Sequence, residues 1–111
     1  MNNYSTKWII QRITAILLIP LTFWFIYHCI SFQNLSYAEI VFFFHSYFNC
    51  FLFLVLMISM LIHAKLGCET IVEDYVSSNN LRISTIWAIK LITYGAVLIS
   101  VISVFSIVFK Q

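Results

Sequence analysis

His63, Gly67, Asp74 and Tyr75 fall within one run, L-I-H-A-K-L-G-C-E-T-I-V-E-D-Y-V, from Leu61 to Val76. At roughly 100° per residue, a helix through this run puts Gly67 about 40° and Asp74 about 20° around from His63, so the three share a face. A neutral imidazole is a natural axial ligand for haem iron. The missing side chain at Gly67 would let a flat macrocycle press against the helix backbone. The same imidazole can equally hydrogen-bond between helices near a membrane interface, and spacing alone leaves both readings open. Tyr75, about 120° around from His63, is aimed at a different neighbour.

The other candidate groups set limits on that chemistry. His45 precedes His63 by 18 residues, about 27 Å along one helix, too far for both to ligate one iron. His28 lies near the opposite end of the first apolar run, so a second axial histidine would have to come from another chain or be absent. His45 and Asn49 are four apart and would share a helical face, as an interhelical polar contact or, with His28, an outer ligand set. Arg12 sits at the depth of His63. Its guanidinium can bind a carboxylate bidentately, such as a haem propionate, or can simply set topology. Ser100, Ser103 and Ser106 step by three and read as helix-packing positions. Cys29, Cys50 and Cys68 form no C-x-x-C pattern and read as buried small hydrophobes rather than disulfide partners.

The elements that must position these groups are membrane spans. The chain has 111 residues, 62% hydrophobic and 9% charged, with a mean hydropathy of +0.97. A soluble domain carries about 25% charged residues, so the bilayer is the natural solvent here. A net charge of +2 is too small to point to nucleic acid. One domain over residues 1–111 is expected, all-α, with spans over about 13–32, 40–62 and 86–109. Pro20 is a candidate kink in the first span. No cleavable presequence is visible before it. Residues 33–39 form a short polar loop and residues 65–85 a longer one carrying most of the charge. Lys7 and Arg12 precede the first span, Lys65 and Arg82 lie between the second and third, and Lys90 can snorkel toward them. Beyond the third span only Lys110 is basic. The N-terminus and second loop are therefore expected on the cytoplasmic or mitochondrial-matrix side.

Two stretches together resemble the D-type hydrophobic membrane anchor of succinate dehydrogenase. The His63–Val76 run has that family's His, a Gly four residues on and a D-Y-V ending. The run W-I-I-Q-R-I-T-A-I-L-L-I-P-L-T-F-W-F, Trp8 to Phe25, is similar to the first helix of alphaproteobacterial and mitochondrially encoded members. The companion anchor's S-x-x-H-R-x-T-G run is absent. The resemblance implies that His63 ligates haem b, opposite a histidine of a cytochrome b556 anchor. It implies that Asp74 and Tyr75 belong to a ubiquinone site, and that Arg12 lies near the haem propionates. Cys68 and Glu69 replace the usual Met and Gln, which would add a charge near the haem face.

The expectation is therefore an inner-membrane anchor, bacterial or mitochondrial, in complex with cytochrome b556, iron–sulfur and flavoprotein subunits. With no flavin or cluster motif, the chain alone should catalyse nothing. The rival reading is a cofactor-free structural or assembly subunit of another respiratory membrane complex. A small transporter is disfavoured, because Glu39, Glu69, Glu73 and Asp74 all lie outside the span centres.

Overall fold

In the computed structural model, which describes residues 4–109, every regular element is a helix. α1 spans Tyr4–Phe32, α2 Tyr37–Phe44, α3 Tyr47–Tyr75 and α4 Asn79–Phe109. Three of them, α1, α3 and α4, are long and apolar enough to cross a membrane. Lys110 and Gln111 lie outside the described residues.

α3 is the central element, packing against α1 on one side and α4 on the other. Little is buried by this arrangement. Leu21, Phe44, Cys50, Leu56, Leu66 and Val104 are the buried apolar residues, whereas Phe23, Phe42, Phe51, Leu91, Ile92 and many others remain exposed. Such a surface suits lipid and further helices rather than water. Small polar residues mark the helix contacts: Thr14 on α1, Ser59 on α3 and Thr93 on α4 are buried. Within the chain itself, the serine row of α4 is only partly covered. Ser100 is half-buried, but Ser103 and Ser106 are exposed.

The helix of the second apolar run does not pass continuously through His45. α2 starts at Ser36, whose hydroxyl accepts from the Glu39 N–H, while Glu39 Oε1 accepts from the Ser36 N–H at 2.9 Å, a capping box. α2 ends at His45, and Ser46, in extended conformation, caps α3 by accepting from the Asn49 N–H. The break frees two carbonyls. Asn49 Nδ2 donates to Phe43 O at 3.1 Å, and the Cys50 thiol donates to Phe44 O. Phe44 and Cys50 then pack on Val104, which holds this end against α4.

Two expectations about loops and cysteines change as well. The charged stretch 65–85 is almost entirely helical, since α3 runs on to Tyr75 and α4 starts at Asn79. Arg82 fastens the short connection by donating to Val76 O at 3.2 Å and to Asn79 Oδ1. Of the cysteines only Cys50 is buried; Cys29 and Cys68 are exposed, and all three are free thiols. α1 continues unbroken through Pro20.

Candidate functional site

The extension of α3 beyond its apolar stretch decides where the chemistry sits. A 29-residue helix is about 44 Å long, against about 30 Å of hydrocarbon, so its last turns reach the interface. There α3 lies beside the first turns of α1. Arg12, His63 and Asp74 line one cavity of about 500 Å³ with Lys7, Trp8, Gln11, Ala15, Thr70 and Glu73. Three of the four residues singled out from the sequence are thus gathered. Tyr75 is not among them: it ends α3 and is 83% exposed.

His63 is half-buried, and its Nδ1 lies 3.1 Å from Thr14 Oγ1 on α1. The Thr14 hydroxyl also lies 2.9 Å from Ile10 O and 3.0 Å from Gln11 O. Arg12 is exposed, with its guanidinium carbon 5.1 Å from the centroid of the Trp8 ring. This cation–π contact stabilises the side chain without neutralising it. No carboxylate among the described residues pairs with Arg12.

Gly67 faces α1 and is half-buried. A Cβ built there would sit 3.7 Å from Gln11 Nε2, so the amide of Gln11 covers the glycine. Gly67 thus lets α1 come into van der Waals contact with α3 through Gln11. Gln11 Oε1 is itself buried without a hydrogen-bond partner among the described residues.

Glu69 also departs from expectation. It does not border the cavity of His63. It is 2% exposed and sits with Lys65 and Lys90 in a separate cavity of about 680 Å³ between α1, α3 and α4. Lys65 Nζ is 3.1 Å from Glu69 Oε2 and Lys7 Nζ 3.7 Å from Glu69 Oε1, while Lys7 also reaches Glu73 at 3.5 Å. The charge is therefore matched by lysines on another face, as a buried carboxylate requires.

At the opposite end of the bundle, His28 packs edge-on and tilted among aromatic rings, its ring centroid 4.9 Å from that of Trp24 and 4.7 Å from that of Phe43. His45 is exposed at the end of α2, and Asn49 spends its amide on Phe43 O. Asn49 thus serves as an interhelical polar contact between α3 and α2. Among the described residues no three His, Cys, Asp or Glu gather around a metal position. His63 stands as a single imidazole, and any metal it binds needs its remaining ligands from elsewhere.

Sequence reasoning passed over Thr14, Trp8 and Gln11, and the pairing of Lys7 and Lys65 with Glu69. Trp8 was readable in principle, four residues before Arg12 on one helix. Thr14 was not, because no local pattern says which turn of α1 meets His63.

Three apolar helices of crossing length, with polar and charged side chains gathered at one end, have the form of a membrane anchor. The chain belongs to the succinate dehydrogenase/fumarate reductase transmembrane subunit family, which matches residues 3–105. It is similar to the succinate dehydrogenase hydrophobic membrane anchor subunit of Rickettsia bellii, at 34% identity over 91% of this chain and 81% of the relative. The corresponding subunit of Rickettsia felis is 31% identical over 94% of this chain and 87% of its own length. The succinate dehydrogenase membrane anchor subunit of Reclinomonas americana is 33% identical over 79% and 76%. Three helices of crossing length within this family make the chain a multi-pass inner-membrane protein.

Proposed function

We propose that this chain is the D-type hydrophobic anchor of a succinate dehydrogenase. In this reading it supplies His63 as one axial ligand of haem b and contributes Asp74 and Tyr75 to the site where ubiquinone is reduced. Its partners are a cytochrome b556 anchor carrying the second axial histidine, an iron–sulfur subunit and a flavoprotein subunit. The observation that carries the reading is the cavity between α1 and α3, where the half-buried His63 imidazole and the unpaired Arg12 guanidinium line one wall system.

The residues present suit a haem edge. His63 offers one ring nitrogen to a metal while the other is held by α1. Arg12, with no carboxylate of its own, is free to pair bidentately with a propionate. Gln11 brings a buried, unpartnered amide oxygen to the same cavity. When bound, haem supplies one-electron redox chemistry. Asp74, exposed at the same mouth, can exchange protons with water there. Tyr75 can donate a hydrogen bond through its phenol.

The test is a His63→Leu variant of the complex, purified with its subunits and examined by reduced-minus-oxidised optical spectroscopy. The b-type signal should be lost or altered, whereas His28→Leu and His45→Leu should leave it unchanged. An unaltered spectrum in His63→Leu removes ligation by His63 and leaves the chain as an anchor that supplies no haem ligand.

A further inference from the structure

The Thr14 hydroxyl has three partners within hydrogen-bond distance and one proton to give. Two of them, Ile10 O at 2.9 Å and Gln11 O at 3.0 Å, are carbonyl oxygens that can only accept. The third, His63 Nδ1 at 3.1 Å, can donate or accept according to the tautomer. If Thr14 donated to Nδ1, its oxygen would face two carbonyl oxygens at about 3 Å with no proton between them. If the hydroxyl proton goes back to α1, as threonines in helices commonly arrange it, the oxygen is left to accept from Nδ1–H. Both carbonyls already accept backbone N–H groups within α1, but only the second arrangement puts the hydroxyl proton between Thr14 and the carbonyl oxygens it lies against, and the site is buried enough for that to decide: Thr14 is 6% exposed.

We infer that Thr14 is a positioning residue that fixes His63 as the Nδ1–H tautomer, leaving Nε2 with its lone pair as the metal-binding nitrogen. Among the described residues no hydrogen bond engages Nε2. The inference rests on the haem-ligation reading above and adds to it which nitrogen binds and what aims it. It also explains why α1 and α3 meet here through a threonine rather than an aliphatic residue. A ligating imidazole that donates its other N–H is more basic and is held in orientation, and losing such a partner typically costs 10–100-fold in metal affinity. Greater basicity favours the ferric over the ferrous state, so removing the acceptor should raise the midpoint potential.

The experiment compares Thr14→Val, Thr14→Ser and Thr14→Cys in the complete complex with the unaltered complex. The readouts are the one-electron potential of the haem and its rate of transfer to apomyoglobin. Thr14→Val keeps the shape and removes the acceptor. It should speed haem loss about tenfold or more and raise the potential, a tenfold change in ferric preference corresponding to about 59 mV. Thr14→Ser keeps the hydroxyl and should restore both values. Thr14→Cys, a weaker acceptor of similar size, should lie between them. If Thr14→Val does not assemble, the Ser and Cys variants decide: the predicted difference between them supports the inference, and equal potentials overturn it. An unaltered potential and haem retention in Thr14→Val also overturn it. His63→Leu separates the two layers. A retained haem spectrum there defeats ligation and this inference together, while a lost spectrum combined with an unaltered Thr14→Val complex defeats the role of Thr14 alone.

Discussion

Asp74 and Tyr75 are adjacent in the chain yet face different surroundings. Asp74 lines the cavity of His63, and Tyr75, one residue and about 100° further round, is exposed on the outside of α3. On this chain alone nothing covers the phenol, so a quinone bound to it would need a wall from a partner subunit. A phenol donating to a quinone oxygen binds more strongly as negative charge builds on that oxygen during reduction. Tyr75→Phe should therefore leave assembly and electron transfer from succinate to a flavin-level artificial acceptor intact. Quinone reductase activity should fall about tenfold or more, since a charge-assisted hydrogen bond contributes roughly 1.5–3 kcal/mol. Normal rates with both acceptors would take Tyr75 out of the quinone site.

The short helix α2 is held by its ends rather than by its length. Eight residues are too few for a stable isolated helix. The Ser36–Glu39 box closes its start, and Asn49 and Cys50 receive its last carbonyls. Ser36→Ala should cost about 1 kcal/mol of capping, seen as a roughly fivefold rise in amide exchange in the first turn of α2 with α3 unaffected. Unchanged exchange there would mean that packing on α4, not the cap, holds the element. The Ser36 N–H hydrogen bond holds the Glu39 carboxyl below its usual range. A lowered carboxylate pKa stabilises the fold above the unfolded value and loses that stabilisation as pH falls through the folded value. Protection of the first turn should therefore decline on acidification in the unaltered chain.

At this scale the sequence was partly legible. The 3.6-residue period foresaw the shared face of His63 and Asp74, because α3 does continue to Tyr75. It did not foresee the break at His45–Ser46, where a serine cap interrupts an apolar run that reads as one helix. The charges between Lys65 and Arg82 read as loop because an aqueous helix end and a polar loop have the same composition. The pairing of Thr14 with His63 and the lysines around Glu69 depend on the alignment of one helix against another, which no local period encodes.

For the whole molecule, the distribution of charge along the bundle axis carries the topology. The start of α1, the end of α3 and the start of α4 lie together and hold Lys7, Arg12, Lys65, Arg82 and Lys90, while residues 31–50 at the other end contain no lysine or arginine. Lys90, three turns into α4, places its ammonium 5.1 Å over the Trp87 ring, one turn nearer the basic end. Flanking Lys and Arg favour the cytoplasmic or matrix side, so this end should face inward, where an iron–sulfur subunit would dock beside the cavity of His63. The helices are long enough for this end to stand clear of the hydrocarbon. A 31-residue α4 spans about 46 Å against a core of about 30 Å. The check is thiol labelling in a background with Cys29, Cys50 and Cys68 replaced by serine, which at position 50 retains a donor for Phe44 O. Asn34→Cys, in the connection between α1 and α2, should react with an impermeant maleimide in intact spheroplasts or mitoplasts. Ser78→Cys, in the connection between α3 and α4, should react only after permeabilisation. The opposite pattern would invert the chain and put His63, Arg12 and Asp74 on the side away from the soluble subunits, leaving the proposed electron path without an entry.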